Sequence, residues 1–129
     1  MKQPAFEGSI TDVHGIRVGQ AQNAAAKTGV TVILASHDGA VVGADVRGAA
    51  PGTRETDLCA PENTVERANA VVLAGGSAFG LAAATGVMEF LEQHQAGMDM
   101  GVCHVPIVPG AVIFDLTVGD AHVRPDASM

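Results

Sequence analysis

Alternating and β-branched apolar positions predict strands in the first half of the chain. Residues 15–19 form a short alternating run between two glycines, and residues 30–35 are rich in Val, Ile and Thr, which favour strands. Residues 36–39 read Ser-His-Asp-Gly, a sequence typical of a turn because an Asp-Gly pair adopts positive φ at little cost. An apolar run resumes directly after this turn. We therefore expect residues 29–46 to form a β-hairpin.

A strand followed by a helix is the clearest local pattern. Residues 70–74 are continuously apolar, which is typical of a buried strand, and two glycines then turn the chain. Helical periodicity follows from about residue 78 to residue 96. Ser77 is expected to be the N-cap of this helix, and Gly97 its C′ residue.

The predicted helix has one apolar side and one polar side. Its apolar positions form two adjacent stripes, Phe79, Ala83, Val87 and Phe90 and beside them Gly80, Ala84, Met88 and Leu91, opposite Glu89, Glu92 and Gln93. Glycines inside a helix each cost about 1 kcal/mol relative to Ala. Because Gly80 and Gly86 both lie inside this one, we expect a sheet or a second helix to pack closely against them.

The remaining segments are a long loop and two extended stretches. Residues 47–63 are interrupted by Gly and Pro and predict a loop with one helical turn near residues 56–59. Prolines restrict residues 102–108 to an edge strand or an irregular segment, whereas residues 111–116 predict a strand. Strands that alternate with a helix indicate the α/β class, and the length fits a single domain over residues 1–129.

Composition and charge exclude several function classes. The chain has 14 Asp and Glu against 7 Lys and Arg, with a net charge of −7, and its aromatic residues are four Phe. An acidic chain without basic runs or aromatic platforms is not expected to bind nucleic acid. No apolar run approaches the ~18 residues of a membrane span, and residues 1–7 show no signal-peptide pattern. We expect a cytoplasmic protein, with Cys59 and Cys103 as reduced, mostly buried thiols.

A serine at the turn before the helix raises the possibility of a hydrolase. A strand, a tight turn and a helix around Ser77 match the context of a nucleophile elbow, and Asp115 or Asp120 followed by His122 would complete a triad. Phe79 stands where that motif has Gly, and 129 residues are few for such a fold. The alternative is that Ser77 only caps its helix.

The same turn could bind an anion. Gly75, Gly76 and Ser77 precede a helix N-terminus, where backbone N–H groups suit a carboxylate or oxyanion. Neither G-x-G-x-x-G nor a P-loop lysine is present, so no nucleotide or other cofactor is expected. The chain would then be a non-catalytic domain that binds a small anion or a partner.

Two sets of polar residues have ordinary structural interpretations. The five histidines lack metal-ligand spacing, and no metal site is expected; they are His14, His37, His94, His104 and His122. The loop carries charges of both signs at Asp45, Arg47, Arg54, Glu55 and Asp57. We expect internal ion pairs that fix the loop, or alternatively a pocket wall that recognises a charged substrate end.

Several segments, taken together and in order, resemble one enzyme family. They are Ile10–Val13, Gly15–Gly19, Thr28–Val32, Asp45–Gly48, Ala50–Leu58, Gly75–Leu81, Val105–Pro109 and Ile113–Leu116. They are similar to stretches of the L-aminopeptidase/D-esterase (D-amidase) family of self-processing N-terminal-nucleophile peptidases, to which β-aminopeptidases and the nylon-oligomer hydrolase are related. The resemblance covers nearly the whole chain.

The resemblance implies a fold and a mechanism. Members have an αββα layered sandwich and are made as a precursor that cuts itself before a Ser or Thr. That residue becomes the N-terminus of the second subunit and the nucleophile, which attacks amides or esters of amino acids and short peptides through an acyl-enzyme. The family's nucleophile, its activating groups and its oxyanion Asn belong to the later part of the precursor. We therefore expect no catalytic residue in this chain, and Ser77 is not the family nucleophile.

The resemblance also implies partners and a substrate pocket. This chain would be the N-terminal portion of the α/β sandwich, with the C-terminal (β) subunit or the rest of the precursor as its partner and a peptide or amino-acid amide as substrate. Phe114 resembles a position where relatives place a Tyr that lines the pocket, and Gly75, Gly76 and Ser77 are the other expected substrate-binding residues. An incomplete sandwich exposes apolar surface, so we also expect self-association, as a homo-oligomer.

Overall fold

A five-stranded sheet with a helix on one face forms the centre of the computed structural model, which describes residues 8–129. The strands are β1 (Arg17–Asn23), β2 (Thr28–Leu34), β3 (Ala40–Val41), β4 (Thr53–Arg54), β5 (Arg67–Ala68), β6 (Ala70–Ala74), β7 (Met98–Asp99), β8 (His104–Val105) and β9 (Gly110–Val112). The α-helix α1 spans Ala83–Gln93, and 3₁₀ helices span Ile10–Asp12, Asp57–Cys59 and Ser77–Ala82. The prediction that residues 1–7 contain no signal peptide lies outside the described residues.

The main sheet has the order β1-β2-β6-β9-β4, and its pairs are antiparallel except for the parallel pair β6–β9. The parallel pair is joined through the helix, as parallel strands require. Two small antiparallel pairs, β3–β5 and β7–β8, lie outside this sheet. The α/β class is therefore confirmed, together with the strands predicted at residues 15–19, 30–35 and 70–74.

The predicted hairpin over residues 29–46 is wrong. Strand β2 has β1 on one edge and β6 on the other, so neither edge is free for β3. The observed hairpin is β1–β2, which turns through residues 24–27 with Lys27 at φ 55°. Residues 36–39 do form a turn, in which the Gly39 N–H donates to the Ser36 carbonyl at 2.8 Å, but the chain beyond it pairs with β5.

Small side chains form the core between the sheet and the helix. The buried cluster consists of Val30, Ala70, Val72, Ala74, Ala83, Ala84, Leu91, Ala96 and Val108. Alternate residues of β6 point into it, whereas Leu73 on the opposite face is exposed. The prediction that β6 is fully buried is therefore wrong for one face, because the helix covers only the other.

The helical segment begins differently from the prediction. Residues Ser77–Ala82 are 3₁₀ and only Ala83–Gln93 is α-helical. Gly76, at φ 80°, occupies the N-cap position, and Ser77 itself has φ 54° with no capping hydrogen bond from its side chain. Ser77 is therefore not the N-cap that the sequence predicted, because a left-handed backbone at this turn places it inside the first turn.

The end of α1 is a Schellman motif centred on Gln95. The Ala96 N–H donates to the Leu91 carbonyl at 2.9 Å and the Gln95 N–H donates to the Glu92 carbonyl at 2.8 Å, with Gln95 at φ 56°. Gly97 was expected as the C′ residue, and this was wrong by two positions. The hydrogen bonds offset the strain of a non-glycine residue in the left-handed region.

The two predicted apolar stripes of the helix are buried only in part. Gly80, Ala84 and Leu91 are buried as expected, whereas Phe79 and Phe90 are 54% and 44% exposed. The prediction that these two rings lie on the buried face is wrong, although Ala83 between them in the same stripe is buried. Phe79 lies in a 3₁₀ segment, whose repeat of three residues does not continue the α-helical stripe. Instead, the Arg124 guanidinium lies 3.5 Å above the Phe79 ring, and the His94 ring lies 4.3 Å from that of Phe90.

The two glycines of the helical segment are in close contact with other backbone, but not with the sheet or second helix that was predicted. A Cβ on Gly80 would collide with the carbonyl of Gly75, and one on Gly86 would collide with the backbone of Ala127. The close neighbours are the turn after β6 and the C-terminal segment. Space rather than backbone conformation therefore disfavours a side chain at these positions.

The face of the sheet opposite the helix is partly open. Val18 and Leu73 are exposed there, and the strand register places them in the same set of side chains as Ile33, Thr31 and Val71. Within residues 8–129 the structure thus shows a helix layer and a sheet layer, and the αββα arrangement stays a prediction. No helix in this part of the chain is long and apolar enough to cross a membrane.

Candidate functional site

The turn between β6 and the 3₁₀ helix is held by hydrogen bonds at every backbone N–H. The Gly75 N–H donates to the Gly29 carbonyl at 2.9 Å, and the Ser77 N–H donates to the Ile113 carbonyl at 2.9 Å. Between them, the Gly76 N–H donates to Asp115 Oδ1 at 2.7 Å. The turn therefore has a single, internally satisfied shape.

Asp115 occupies the place where an external anion was expected. Its Oδ2 accepts a hydrogen bond from the Thr28 hydroxyl at 2.7 Å while Oδ1 accepts from Gly76, so the part-buried carboxylate bridges two segments. A carboxylate at the start of a helix also interacts favourably with the helix dipole. Because the chain's own carboxylate takes the backbone donors, substrate binding at Gly75, Gly76 and Ser77 stays a prediction that depends on their shape and on the Ser77 hydroxyl.

The two glycines of this turn have separate physical reasons. A Cβ on Gly75 would overlap the Asp115 carboxylate and the Thr28 hydroxyl, so close approach excludes a side chain. Gly76 lies at φ 80°, and a Cβ there would be 2.9 Å from Pro125 Cδ. The Gly-Gly pair is thus explained by the bridge on one side and by the C-terminal segment on the other.

The triad that would make Ser77 a hydrolase nucleophile is not assembled. Both Asp115 oxygens accept from other groups, and Asp120 Oδ1 accepts from the backbone N–H of His122 at 2.9 Å. His122 is exposed, and no hydrogen bond within residues 8–129 joins the Ser77 hydroxyl to a histidine. Ser77 therefore lacks an activating base in this part of the chain.

A groove of about 870 Å³ lies beside the turn. Thr28, Gly75, Ile113 and Asp115 line it on one side, and polar side chains from β1 and its turn line the other, including Gln20, Gln22, Asn23 and Lys27. Phe114, which is 67% exposed, stands between two of the lining residues in the chain. Gly75 therefore lines this groove, whereas Phe114 is not one of its lining residues, and its role in binding stays a prediction.

The charged loop is fixed only in part by ion pairs. Arg47 Nε lies 2.7 Å from Asp45 Oδ2, but both side chains are largely exposed. Arg54 instead crosses to α1, where its guanidinium donates to Thr85 Oγ1 at 3.1 Å and Met88 Sδ at 3.0 Å. The expectation of a loop held by internal ion pairs is therefore wrong for Arg54, because its strand position directs it to the helix side of the sheet.

The two thiols differ in their surroundings. Cys59 is buried, and burial together with the charge of Glu55 raises the pKa of its thiol. Cys103 is exposed, so the expectation that both cysteines are mostly buried is wrong for this residue. Among residues 8–129 no group of three or more His, Cys, Asp or Glu side chains is placed to hold a metal ion.

Sequence reasoning missed the bridging roles of Asp115 and Thr28. Asp115 was considered only as a triad member, since a serine turn and a downstream Asp and His suggested that order. The Gly-Gly pair before a helix was a sequence signal for the Gly76–Asp115 contact. Such a turn leaves backbone N–H groups that can donate hydrogen bonds to a carboxylate from elsewhere in the chain.

Comparison with known proteins identifies the family. Residues 8–128 match the model of peptidase family S58. The chain belongs to this family. The resemblance to the L-aminopeptidase/D-esterase peptidases is thereby confirmed at the level of the family.

Curated relatives of the S58 chain carry the name aminopeptidase. This chain is 55% identical over 127 residues to an uncharacterized aminopeptidase of Mycobacterium leprae. The alignment covers 92% of this chain and 35% of the relative. Uncharacterized aminopeptidases of Mycobacterium bovis and Mycobacterium tuberculosis are 56% identical over 127 residues, with 92% of this chain and 37% of each relative covered. The chain thus spans about a third of the length of these relatives.

Proposed function

We propose that this chain is the N-terminal part of an aminopeptidase or amidase-esterase whose Ser or Thr nucleophile lies downstream of Met129. The observation that carries the proposal is the match of residues 8–128 to peptidase family S58. The names of the relatives and their threefold greater length support it. So does the absence, within the described residues, of an activated base beside Ser77.

The proposed reaction follows the chemistry of an N-terminal nucleophile. The nucleophile's hydroxyl oxygen bonds to the substrate carbonyl carbon, the bond to the amine or alcohol breaks, and the leaving group takes the proton. Water then attacks the resulting ester, which releases the acid and restores the hydroxyl. Donors outside this chain would stabilise the oxyanion. Substrates are the N-terminal residues of short peptides and amino-acid amides or esters.

This chain would contribute one sheet and part of the substrate pocket. Phe114 is exposed and lies in the chain between Ile113 and Asp115, which line the groove; its ring offers apolar contact without the hydroxyl of a Tyr. Gly75 and Ser77 form the adjacent turn. The pocket proposal therefore places the substrate near the end of β6 and β9, against the groove wall.

The open face of the sheet supports the proposed partner. Val18 and Leu73 are exposed on the face away from α1, which also carries Ile33 and Val71. Contiguous apolar surface of this kind marks an interaction site. The rest of the precursor, contributing a second sheet, would cover it and complete the αββα sandwich; the isolated chain would use the same surface to associate with itself.

An exposed free thiol at Cys103 fits the proposed cytoplasmic location.

Hydrolysis of amino-acid p-nitroanilides tests the proposal. The protein from the complete reading frame should release p-nitroaniline, and residues 1–129 alone should not. The complete protein with Ser77→Ala should still release p-nitroaniline, because its nucleophile is unchanged. Turnover by residues 1–129 that disappears with Ser77→Ala would establish the serine hydrolase instead. Co-expression of residues 1–129 with the downstream region should restore activity. If neither the complete protein nor the co-expressed parts release p-nitroaniline, a binding domain is favoured.

A further inference from the structure

Three segments that are far apart in the chain meet at one carboxylate. Asp115 follows β9, its Oδ2 accepts from Thr28 across 87 residues of sequence, and its Oδ1 accepts from Gly76 across 39. Both donor–acceptor distances are 2.7 Å, as expected for hydrogen bonds to a charged acceptor. The bridge ties the start of β2, the turn after β6 and the segment after β9 to a common point.

Sterics and hydrogen bonds together leave this point little freedom. The carboxylate fills the space beside Gly75 that a Cβ would occupy. The Ser77 N–H donates to the Ile113 carbonyl, and the Ile113 N–H donates to the Ala74 carbonyl at 2.9 Å. The turn and the Ile113–Asp115 segment are therefore fixed to each other on both sides of Phe114.

The same residues form one wall of the groove. Thr28, Gly75, Ile113 and Asp115 all line it, and Phe114 projects from the segment that Asp115 anchors. We propose that Asp115 is a positioning residue of the peptidase, which holds the Gly75–Ser77 turn and Phe114 in the geometry that receives the substrate. This inference rests on the proposed function, and Asp115 acts through its neighbours without touching the reacting atoms.

Substitutions separate positioning by Asp115 from a general effect on folding. Asp115→Asn keeps an oxygen for the Gly76 N–H, and the Thr28 hydroxyl can accept from the new amide, so the geometry is preserved. Asp115→Ala leaves the Gly76 N–H without its acceptor, and Thr28→Val removes one hydrogen bond only. Asp99→Ala is the matched control, because Asp99 accepts from the Gly101 N–H at 2.8 Å in an exposed turn that does not line the groove.

Steady-state kinetics of the complete protein on an amino-acid p-nitroanilide test the inference. We expect Asp115→Ala to raise KM about 10- to 100-fold with a smaller change in kcat, because misplacing a binding wall by about 1 Å has effects of this size. Thr28→Val should raise KM about 3- to 10-fold on the same reasoning. Asp115→Asn should raise KM less than Asp115→Ala does, because its neutral amide keeps the acceptor but makes a weaker hydrogen bond than the carboxylate, and Asp99→Ala should resemble wild type. Amide hydrogen exchange at residues 75–77 should be faster in Asp115→Ala than in wild type, and unchanged in Asp99→Ala.

The outcomes are distinguishable. Wild-type turnover with an unchanged KM in Asp115→Ala overturns the positioning role, and so does equal loss in Asp115→Ala and Asp115→Asn. If Asp115→Ala does not fold, Thr28→Val decides, since an unchanged KM in that variant also overturns the role. Absence of turnover in the complete wild-type protein instead overturns the proposed function, and this inference with it.

Discussion

Substituting Ala for each of the two helical glycines should have unequal effects on stability. In a helix interior Ala is favoured over Gly by about 1 kcal/mol, whereas overpacking a well-packed site costs about 1–3 kcal/mol. At Gly80 the new Cβ meets the Gly75 carbonyl and lies 3.0 Å from its carbon, and that residue is held through its own N–H. At Gly86 the obstacle is the backbone of Ala127, which lies in an exposed segment outside any helix or strand and has more freedom to shift.

The expected magnitudes follow from whether the neighbour can move. For Gly80→Ala the upper end of the overpacking range less the gain in propensity leaves a destabilisation of about 2 kcal/mol. For Gly86→Ala the two effects nearly cancel, to within about 0.5 kcal/mol. In a chain of this size 1 kcal/mol shifts Tm by roughly 3–6 °C. Gly80→Ala should therefore lower Tm by about 6–12 °C, and Gly86→Ala should leave it nearly unchanged.

Far-UV circular dichroism during urea and thermal unfolding is the suitable assay, because the chain has no Trp or Tyr for intrinsic fluorescence. Gly19→Ala is a control for the loss of a glycine, since a Cβ there has no neighbour within 4 Å. Equal effects at Gly80 and Gly86, or a rise in Tm with Gly80→Ala, would refute the argument that the Gly75 carbonyl is immobile.

Three further outcomes are expected. A thiol reagent at pH 8 should modify Cys103 rapidly and Cys59 slowly, because Cys59 is buried and its pKa is raised; equal rates would contradict this. Hydrogen bonds from Ser128 hold the pKa of Asp126 below its usual value, so Ser128→Ala should raise that pKa in an NMR titration, and the turn's stabilisation should be lost as pH falls through the folded-state value. Leu73→Thr should reduce self-association of residues 1–129 in sedimentation velocity, since Leu73 lies exposed on the open sheet face; unchanged association would point to another surface.

The sequence pattern predicted a helix or strand well where the pattern arises from the residues of that element alone. The β-branched run of β2, the apolar run of β6 and the periodicity of α1 each reflect side chains that suit a single backbone conformation. The close packing at Gly80 and Gly86 was also predictable, because an unfavourable residue inside a helix indicates a steric demand. The sequence signals for these features lie within one turn or one strand, although the residue that packs against Gly86 is the distant Ala127.

Pairing and coverage were less predictable because they depend on distant parts of the chain. The turn signal at residues 36–39 is real, yet β2 pairs with β1 and β6, and a local signal does not specify which strands compete for its edges. Helical periodicity places Phe79 on an apolar stripe, but the pattern does not show that this residue lies in a 3₁₀ segment with a different repeat.

The substrate-binding residues expected from the sequence stay a prediction, since Gly75 lines the groove and Phe114 does not. The bridge from Thr28 to Asp115 joins positions 87 residues apart, which no local pattern relates to each other. Asp115 was recognised as chemically notable for another reason, its place in a serine-hydrolase order. Only the folded geometry shows that its oxygens are already engaged.

The origin of the nucleophile is the central claim, and intact-mass spectrometry with N-terminal sequencing of the protein from the complete reading frame tests it most directly. The account predicts two polypeptides, the second beginning with a Ser or Thr that lies downstream of Met129. An active protein that remains a single uncleaved chain, or one whose activity depends on cleavage at or before Ser77, would contradict it.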